Sequence, residues 1–261
     1  MLSQASAQSP AVVLAATSSV VDSGLLARIL PVFTQQTGIP VTVVAAGTRR
    51  ALEAASQGRA DLVLAHDALA EQEFLASGQG VSRREIAWND LLLAGPKSDP
   101  ARIGGTRNAV AALRAIADHG VDFVSRRDHG VGDAAEHRLW RDAGLNPLTM
   151  PWYHVVDGGQ GASIVQAAKL GAVVLTDRGT WLATTNRSDL VPLVQGDQAF
   201  INRYDIVQLN PALHPSARLS EARALAEWLA SPDGQSQIGA LRIDDQQLFH
   251  PDADQPLPGA S

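Results

Sequence analysis

"AVVLAATSSVVDSGLLARILPVFTQQTGIPVTVVAAGTRRALEAASQGRADLVLAH", residues 11–66, alternates between two hydrophobic periods. The short apolar run "AVVLAAT" suits a strand buried on both faces, and "IPVTVVAAG" and "ADLVLAH" read as a second and a third strand. Between the first two, Leu25, Leu26, Ile29, Leu30 and Phe33 recur on one helical face until Gly38 stops the pattern, with Asp22 or Ser23 as the natural N-cap. "TRRALEAASQG" predicts a shorter helix ending at Gly58. The resulting β-α-β-α-β order is that of an open α/β sheet covered by helices.

The same order restarts after Pro96. A helix in "NAVAALRAIADHG", a strand "VDFVSR" and a helix in "DAAEHRLWRDAG" come next, and Asp133 and Glu136 have the spacing of a capping box. "MPWYHVVD", "GASIVQAAKLG", "AVVLTD", "RGTWLATT" and "LVPLV" continue it, and an amphipathic helix "SEARALAEWLAS" is stopped by Pro232. The repetition predicts two lobes, residues 10–93 with 205–250 and residues 94–204, each a mixed sheet flanked by helices. Two crossover strands would act as a hinge, and residues 1–9 and 251–261 would be loose. Ligand clefts favour such domain interfaces.

Composition narrows the function. The 261 residues carry a net charge of −6, and their basic residues cluster only in doublets such as Arg49-Arg50, so no nucleic-acid footprint is expected. The absence of cysteine excludes disulfides, thiolate metal sites and Cys nucleophiles. Histidines are scattered without metal spacing, and GxSxG and GxxxxGK are missing, so the chain is expected to be no enzyme and to use no cofactor or metal. "MLSQASAQS" has neither a basic start nor an apolar stretch and reads as the start of a chain whose signal peptide has been removed.

The candidate site lies in loops that leave strands and open helices, where unpaired N–H groups favour an anion. Thr17, Ser18 and Ser19 are consecutive hydroxyls at the first such loop, and taken alone they serve equally as a cap or as a cradle. Gly47-Thr48 occupies the next loop. In the second lobe Ser125, Arg126 and Arg127 end a strand, and arginine offers a planar charged fork for an oxyanion or carboxylate. Ser163 sits inside the glycine-rich "DGGQGASIVQAAK", which lacks the third glycine of a dinucleotide fingerprint.

These blocks, with "NDLLLAGPKSDPA", "DFVSRRD", "LTDRGTWLA", "VQGDQAFINRYDIVQLNP" and "WLASPDGQSQI", resemble the periplasmic tungstate-binding proteins of ABC importers, within the type II periplasmic binding fold. The resemblance implies a two-lobed clamshell that closes on a small anion, tungstate or molybdate, and delivers it to a membrane permease from the periplasm as a monomer. It implies ligand contacts from Thr17, Ser18, Ser19, Thr48, Ser125, Arg126 and Arg127, with Ser163 and Arg178 also expected at the ligand. Two blocks depart from the family. Ala16 stands where the family has its first threonine. Arg127-Asp128-His129-Gly130-Val131-Gly132 replaces a stretch that carries Ser and Thr donors. Each unmet lone pair of a desolvated anion costs on the order of 1–3 kcal/mol. A small organic carboxylate therefore stays open as the ligand, as does a sensor role without transport.

Overall fold

Val12, Leu14, Ala15 and Ala16 are apolar and fully enclosed, which requires a strand with neighbours on both edges. In the computed structural model, which describes residues 10–126 and 131–253, this strand is β1 (Val12–Thr17). It pairs in parallel with β2 (Val41–Ala46) on one side and β3 (Leu62–Ala65) on the other. The chain forms two compact units. The first takes the described residues up to Ala87, Arg203–Leu241, and those from Phe249 onward; the second takes Trp88–Asn202 and Arg242–Leu248.

In the first unit β1 runs into a five-residue helix α1 (Ser18–Asp22), followed by α2 (Leu25–Thr37), β2, α3 (Thr48–Ser56), β3 and α4 (Ala68–Ala76). Apolar spacing alone starts a single helix from a cap at Asp22 or Ser23. Instead Gly24, at φ +78°, turns the chain between α1 and α2 and becomes the N-cap of α2. That backbone conformation favours glycine, which divides the helical stretch where the apolar spacing shows no break. The residues "REIAWND" and "LLLAGP" form one strand, β4 (Gly80–Pro96), which leaves the first unit at Ala87.

The second unit continues with α5 (Ala109–His119), β5 (Phe123–Arg126), α6 (Val131–Asp142), β6 (Tyr153–Val156), α7 (Gln160–Leu170), β7 (Val173–Asp177), α8 (Arg178–Ala183) and β8 (Leu190–Val194). β5 pairs in parallel with β6 and β7, while β7 and β8 run antiparallel to the C-terminal part of β4. Its core is aromatic: Phe123 meets Trp140 edge-on at 5.2 Å and stacks with Tyr153 at 5.8 Å.

β9 (Ile201–Leu209) returns to the first unit and lies antiparallel to β3, so the strand order there is β2-β1-β3-β9-β4. Asp61 then fastens distant parts of that unit. One carboxylate oxygen accepts Val13 N at 2.8 Å and the other accepts Arg218 N at 2.9 Å, immediately before α9 (Leu219–Ala230). The chain continues into α10 (Pro232–Gly239). The pair β10 (Arg242–Ile243) and β11 (Gln246–Gln247) belongs to the second unit, which corrects the expectation that 205–250 lies entirely in the first. A residue of this stretch, Leu248, lies near Gly179 at the start of α8, where an added Cβ would come 4.0 Å from Leu248 Cδ1.

Residues 251–253 are not loose. β12 (His250–Pro251) pairs with β4, Asp252 N donates to Ile86 O, and Ala253 N donates to Gln235 Oε1. Residues 1–9 and 254–261 lie outside the described part.

A buried charge group holds β4, β9 and α4 together. Arg83 reaches Glu71 and Asp205, each at 2.9 Å, and Glu71 Oε1 accepts Asp67 N at the head of α4. One guanidinium faces two carboxyls. Burial, then the Asp205 charge, pushes Glu71 up to about 8. A carboxyl raised in the folded state contributes stability that is complete below its ordinary 4.5 and is lost as pH rises through about 8. The melting temperature should therefore fall between about pH 5 and 8, on the order of 5 °C, and Glu71→Gln should flatten the slope; calorimetry across pH checks this.

Candidate functional site

In each unit parallel strands end side by side and feed helices. In the first unit Thr17 pairs in register with Ala46, so the turns at Thr17 and at Gly47-Thr48 are neighbours. Thr17 occupies the N-cap position of α1 and Gly47 that of α3, and neither helix has a side-chain cap. Four other helices are capped by a side chain, Asp67, Asn108, Asp177 and Ser231 each accepting a first-turn N–H, whereas α2, α7 and α9 are not. Thr17, at 2 % exposure, does not use its hydroxyl this way. Thr17 Oγ1 and Thr48 Oγ1 are both buried without a hydrogen-bond partner among the described residues.

Two enclosed hydroxyls of this kind would cost roughly 1–3 kcal/mol each if nothing ever met them. Together with uncapped helix starts, they make the end of β1 and β2 a set of donors waiting for an acceptor. Asp22, whose charge would oppose an anion, is exposed at the far end of α1. Ser23 turns its hydroxyl onto Val20 O at 2.7 Å. The side chain of Ser18 lies outside the described residues.

Ser19 is engaged differently, its Oγ lying 3.3 Å from His66 Nε2. His66 immediately follows β3, the third strand at this edge, and its ring stacks on Tyr204 at 4.9 Å and 11°. No motif in the sequence singles it out. Its signal is its place in "ADLVLAH", at a strand end equivalent to those of Thr17 and Thr48. Ala16 is fully enclosed, with Ala45 and Leu64 as its register partners, and alternates to the opposite face of the sheet from Thr17. Its missing hydroxyl removes no donor on the Thr17 side.

In the second unit Arg126 ends β5 and is 5 % exposed. Its guanidinium lies across Gly132 in the first turn of α6. A Cβ there would fall within 2.8 Å of Cζ and 3.3 Å of Gln160 Nε2. Gln160, at the start of α7, is itself fixed, because its Oε1 accepts both Thr176 Oγ1 and Asp177 N at 2.9 Å. A buried arginine is thus held between two helix starts, and α7 is opened by Gly159 without a side-chain cap. Arg127 and His129 lie outside the described residues.

The other expected contacts are spent within the unit. Ser163 is 1 % exposed and donates to Gly159 O at 3.3 Å, a bond within its own helix. Arg178 grips Asp90 side-on, Nε to Oδ1 at 2.7 Å and Nη2 to Oδ2 at 2.5 Å, and also reaches Gln195. An arginine so paired is a strut between α8 and β4 rather than a spare donor. Ser125 is fully enclosed beside Glu136 and Tyr153. Glu136 does not complete a capping box. α6 begins at Val131, two residues before Asp133, and the Glu136 carboxyl accepts the Tyr153 hydroxyl at 2.6 Å.

Among the described residues no group of three His, Asp or Glu could hold a metal ion, and no helix is long and apolar enough to cross a membrane. A PBP superfamily domain matches residues 4–233. A protein of Peptoclostridium acidaminophilum named tungstate-binding protein TupA is 36% identical over 230 residues, covering 87% of this chain and 80% of its own. The chain belongs to the TupA family of the PBP superfamily. A Haloferax volcanii protein, provisionally named an ABC transporter anion-binding protein, is 40% identical to this TupA-family chain over 245 residues, or 92% of it and 71% of the relative. The solved tungstate-binding TupA of Desulfovibrio alaskensis superimposes with a TM-score of 0.88 at 33% identity, covering 94% of this chain and all of that one.

Proposed function

We propose that the chain is the solute-binding component of an ABC importer, taking a tungstate-type oxyanion in the periplasm and handing it as a monomer to the membrane permease without chemical change. The observation that carries this is the pair of uncapped helix starts at Thr17 and Thr48, whose enclosed hydroxyls have no acceptor among the described residues. The donors assigned to the anion are Thr17, Ser18, Ser19 and Thr48 from the first unit, and Arg126, Arg127 and the helix starts beside them from the second. Family membership supports the same ligand class, since relatives on two sides of it are named for tungstate and for anions. Ser163 and Arg178 are left out of the set, because Ser163 Oγ donates within its own helix and Arg178 is paired with Asp90.

Oxyanions and carboxylates differ in what these groups offer. A cluster of hydroxyl and N–H donors suits a compact tetrahedral acceptor, whereas an organic acid also needs apolar wall for its carbon skeleton. A thermal-shift and calorimetric series with tungstate, molybdate, sulfate, phosphate and small carboxylates tests the assignment. At about 100 times its dissociation constant a ligand adds about 2.7 kcal/mol of stability, which raises the melting point by several degrees. Tungstate or molybdate should give the largest shift. A shift with carboxylates alone would replace the oxyanion by an organic acid, and no shift with any anion would overturn the function.

A further inference from the structure

Glu136 is 3 % exposed, a carboxyl set into the aromatic core of the second unit. The parallel register pairs Phe123 with Tyr153 and Ser125 with Val155, so Ser125 shares a face of the sheet with Phe123 and Tyr153. α6 covers that face and brings Glu136 to it. Glu136 Oε1 accepts the Tyr153 hydroxyl at 2.6 Å, while Ser125 Oγ, fully enclosed, makes no hydrogen bond of normal geometry among the described residues. The next residue along the strand is Arg126. A carboxyl that can carry a negative charge therefore lies beside Ser125, the residue that precedes Arg126 on the strand.

Resting on the function proposed above, we propose that Glu136 is a proton-linked positioning residue, so that the chain takes up a proton at this carboxyl when the anion binds. Charge repulsion supplies the coupling: a dianion at Arg126 disfavours a second negative charge enclosed beside the preceding residue, Ser125, in an interior that screens poorly. Hydrogen bonding acts in the same direction. Ionised, Glu136 draws the Ser125 hydroxyl proton inward. Protonated, it donates to Ser125 Oγ and releases that hydroxyl to donate elsewhere.

Tyr153 is a donor in both states, since burial and the Glu136 charge hold its phenol well above the usual range. The other charged neighbours are Asp133 and His137 of α6, which pull in opposite directions. Burial, which outweighs the Tyr153, Ser125 and His137 contributions, sets Glu136 at about 7, where the proton is exchangeable near neutrality. His137 Nδ1 lies 3.1 Å from Asp133 Oδ1 and is part-exposed, so a variant at His137 serves as the control.

The test is tungstate calorimetry on the intact chain from about pH 6 to about pH 9, in buffers of different ionisation enthalpy. Wild-type affinity should weaken with pH by up to about tenfold per unit above the Glu136 titration, with up to about one proton taken up per anion. Glu136→Gln should hold the low-pH affinity across the range with no proton uptake. Tyr153→Phe, which removes a donor to the carboxylate, should move the fall to higher pH, and His137→Gln should leave it in place. Binding that is flat in pH, or a Glu136→Gln variant that keeps the wild-type slope, overturns the linkage and leaves the function standing. No anion binding at any pH overturns both.

Discussion

Arg126→Ala should weaken anion binding by at least about a hundredfold while the chain stays folded. Removing one partner of a desolvated charge pair costs about 2–5 kcal/mol, and about 1.4 kcal/mol is tenfold in affinity. Arg126 is 5 % exposed, so an anion paired with it would be stripped of most of its water. Arg126→Lys should recover only part of the loss, because an ammonium cannot present two parallel donors to neighbouring oxygens.

Gly132→Ala reaches the same result from the other side of the contact. A methyl at Gly132 would occupy the place of the guanidinium, with Cζ at 2.8 Å, and Arg126 would have to leave its position. Circular dichroism establishes the fold of each variant, and titration calorimetry reads the affinity. Unchanged affinity in Arg126→Ala would show that the second unit binds through other groups.

Gly234→Ala should be the most destabilising single methyl in the chain's C-terminal part. Gly234 opens α10, where a side-chain Cβ would collide with the backbone carbonyl oxygen of Trp228 and come within 2.9 Å of Leu229 Cα. That carbonyl already accepts Ser231 N at 3.0 Å and Ser231 Oγ at 2.7 Å, and Ser231 Oγ in turn caps Gly234 N at 3.2 Å. Backbone atoms cannot swing aside as a flexible side chain can, so the corner between α9 and α10 must open. The expected loss is at least about 3 kcal/mol, a fall of roughly 6–12 °C in the melting point. Gly161→Ala, in the first turn of α7, is the control: its Cβ would meet only Thr184 Oγ1 at an ordinary 3.6 Å, and stability should hold or rise slightly.

The features legible in the chain are those that neighbouring residues determine. β1, β2 and β3 come from apolar runs of four to six residues, and α2 and α3 from spacing on one helical face. Thr17 and Thr48 stand out because strand ends that open helices are where an open sheet binds ligands. Other features depend on partners far along the chain. Glu136 has the spacing of a helix cap, and only the packing of α6 on β6 gives it Tyr153, 17 residues on. Arg178 looks like a spare cation until β4 brings Asp90 beside it, 88 residues earlier. His66 escapes a sequence search because one histidine at a strand end carries no motif; its meaning comes from Ser19 and Tyr204 on either side. Local periodicity encodes elements, whereas the satisfaction of buried polar atoms is decided by tertiary pairing.

β3, made of residues 62–65, finds its second neighbour in residues 205–208 of β9. Ribosomes release the chain from its N-terminus, so the first three strands emerge long before the strand that closes their sheet edge. The segment 88–202, by contrast, contains almost all of the second unit and is released without interruption. During synthesis the second unit therefore has its strands in hand first, and the N-terminal strands wait with an open edge exposed to pairing with other chains. A chaperone holding residues 12–65 in that interval would govern how much of the protein reaches its working form.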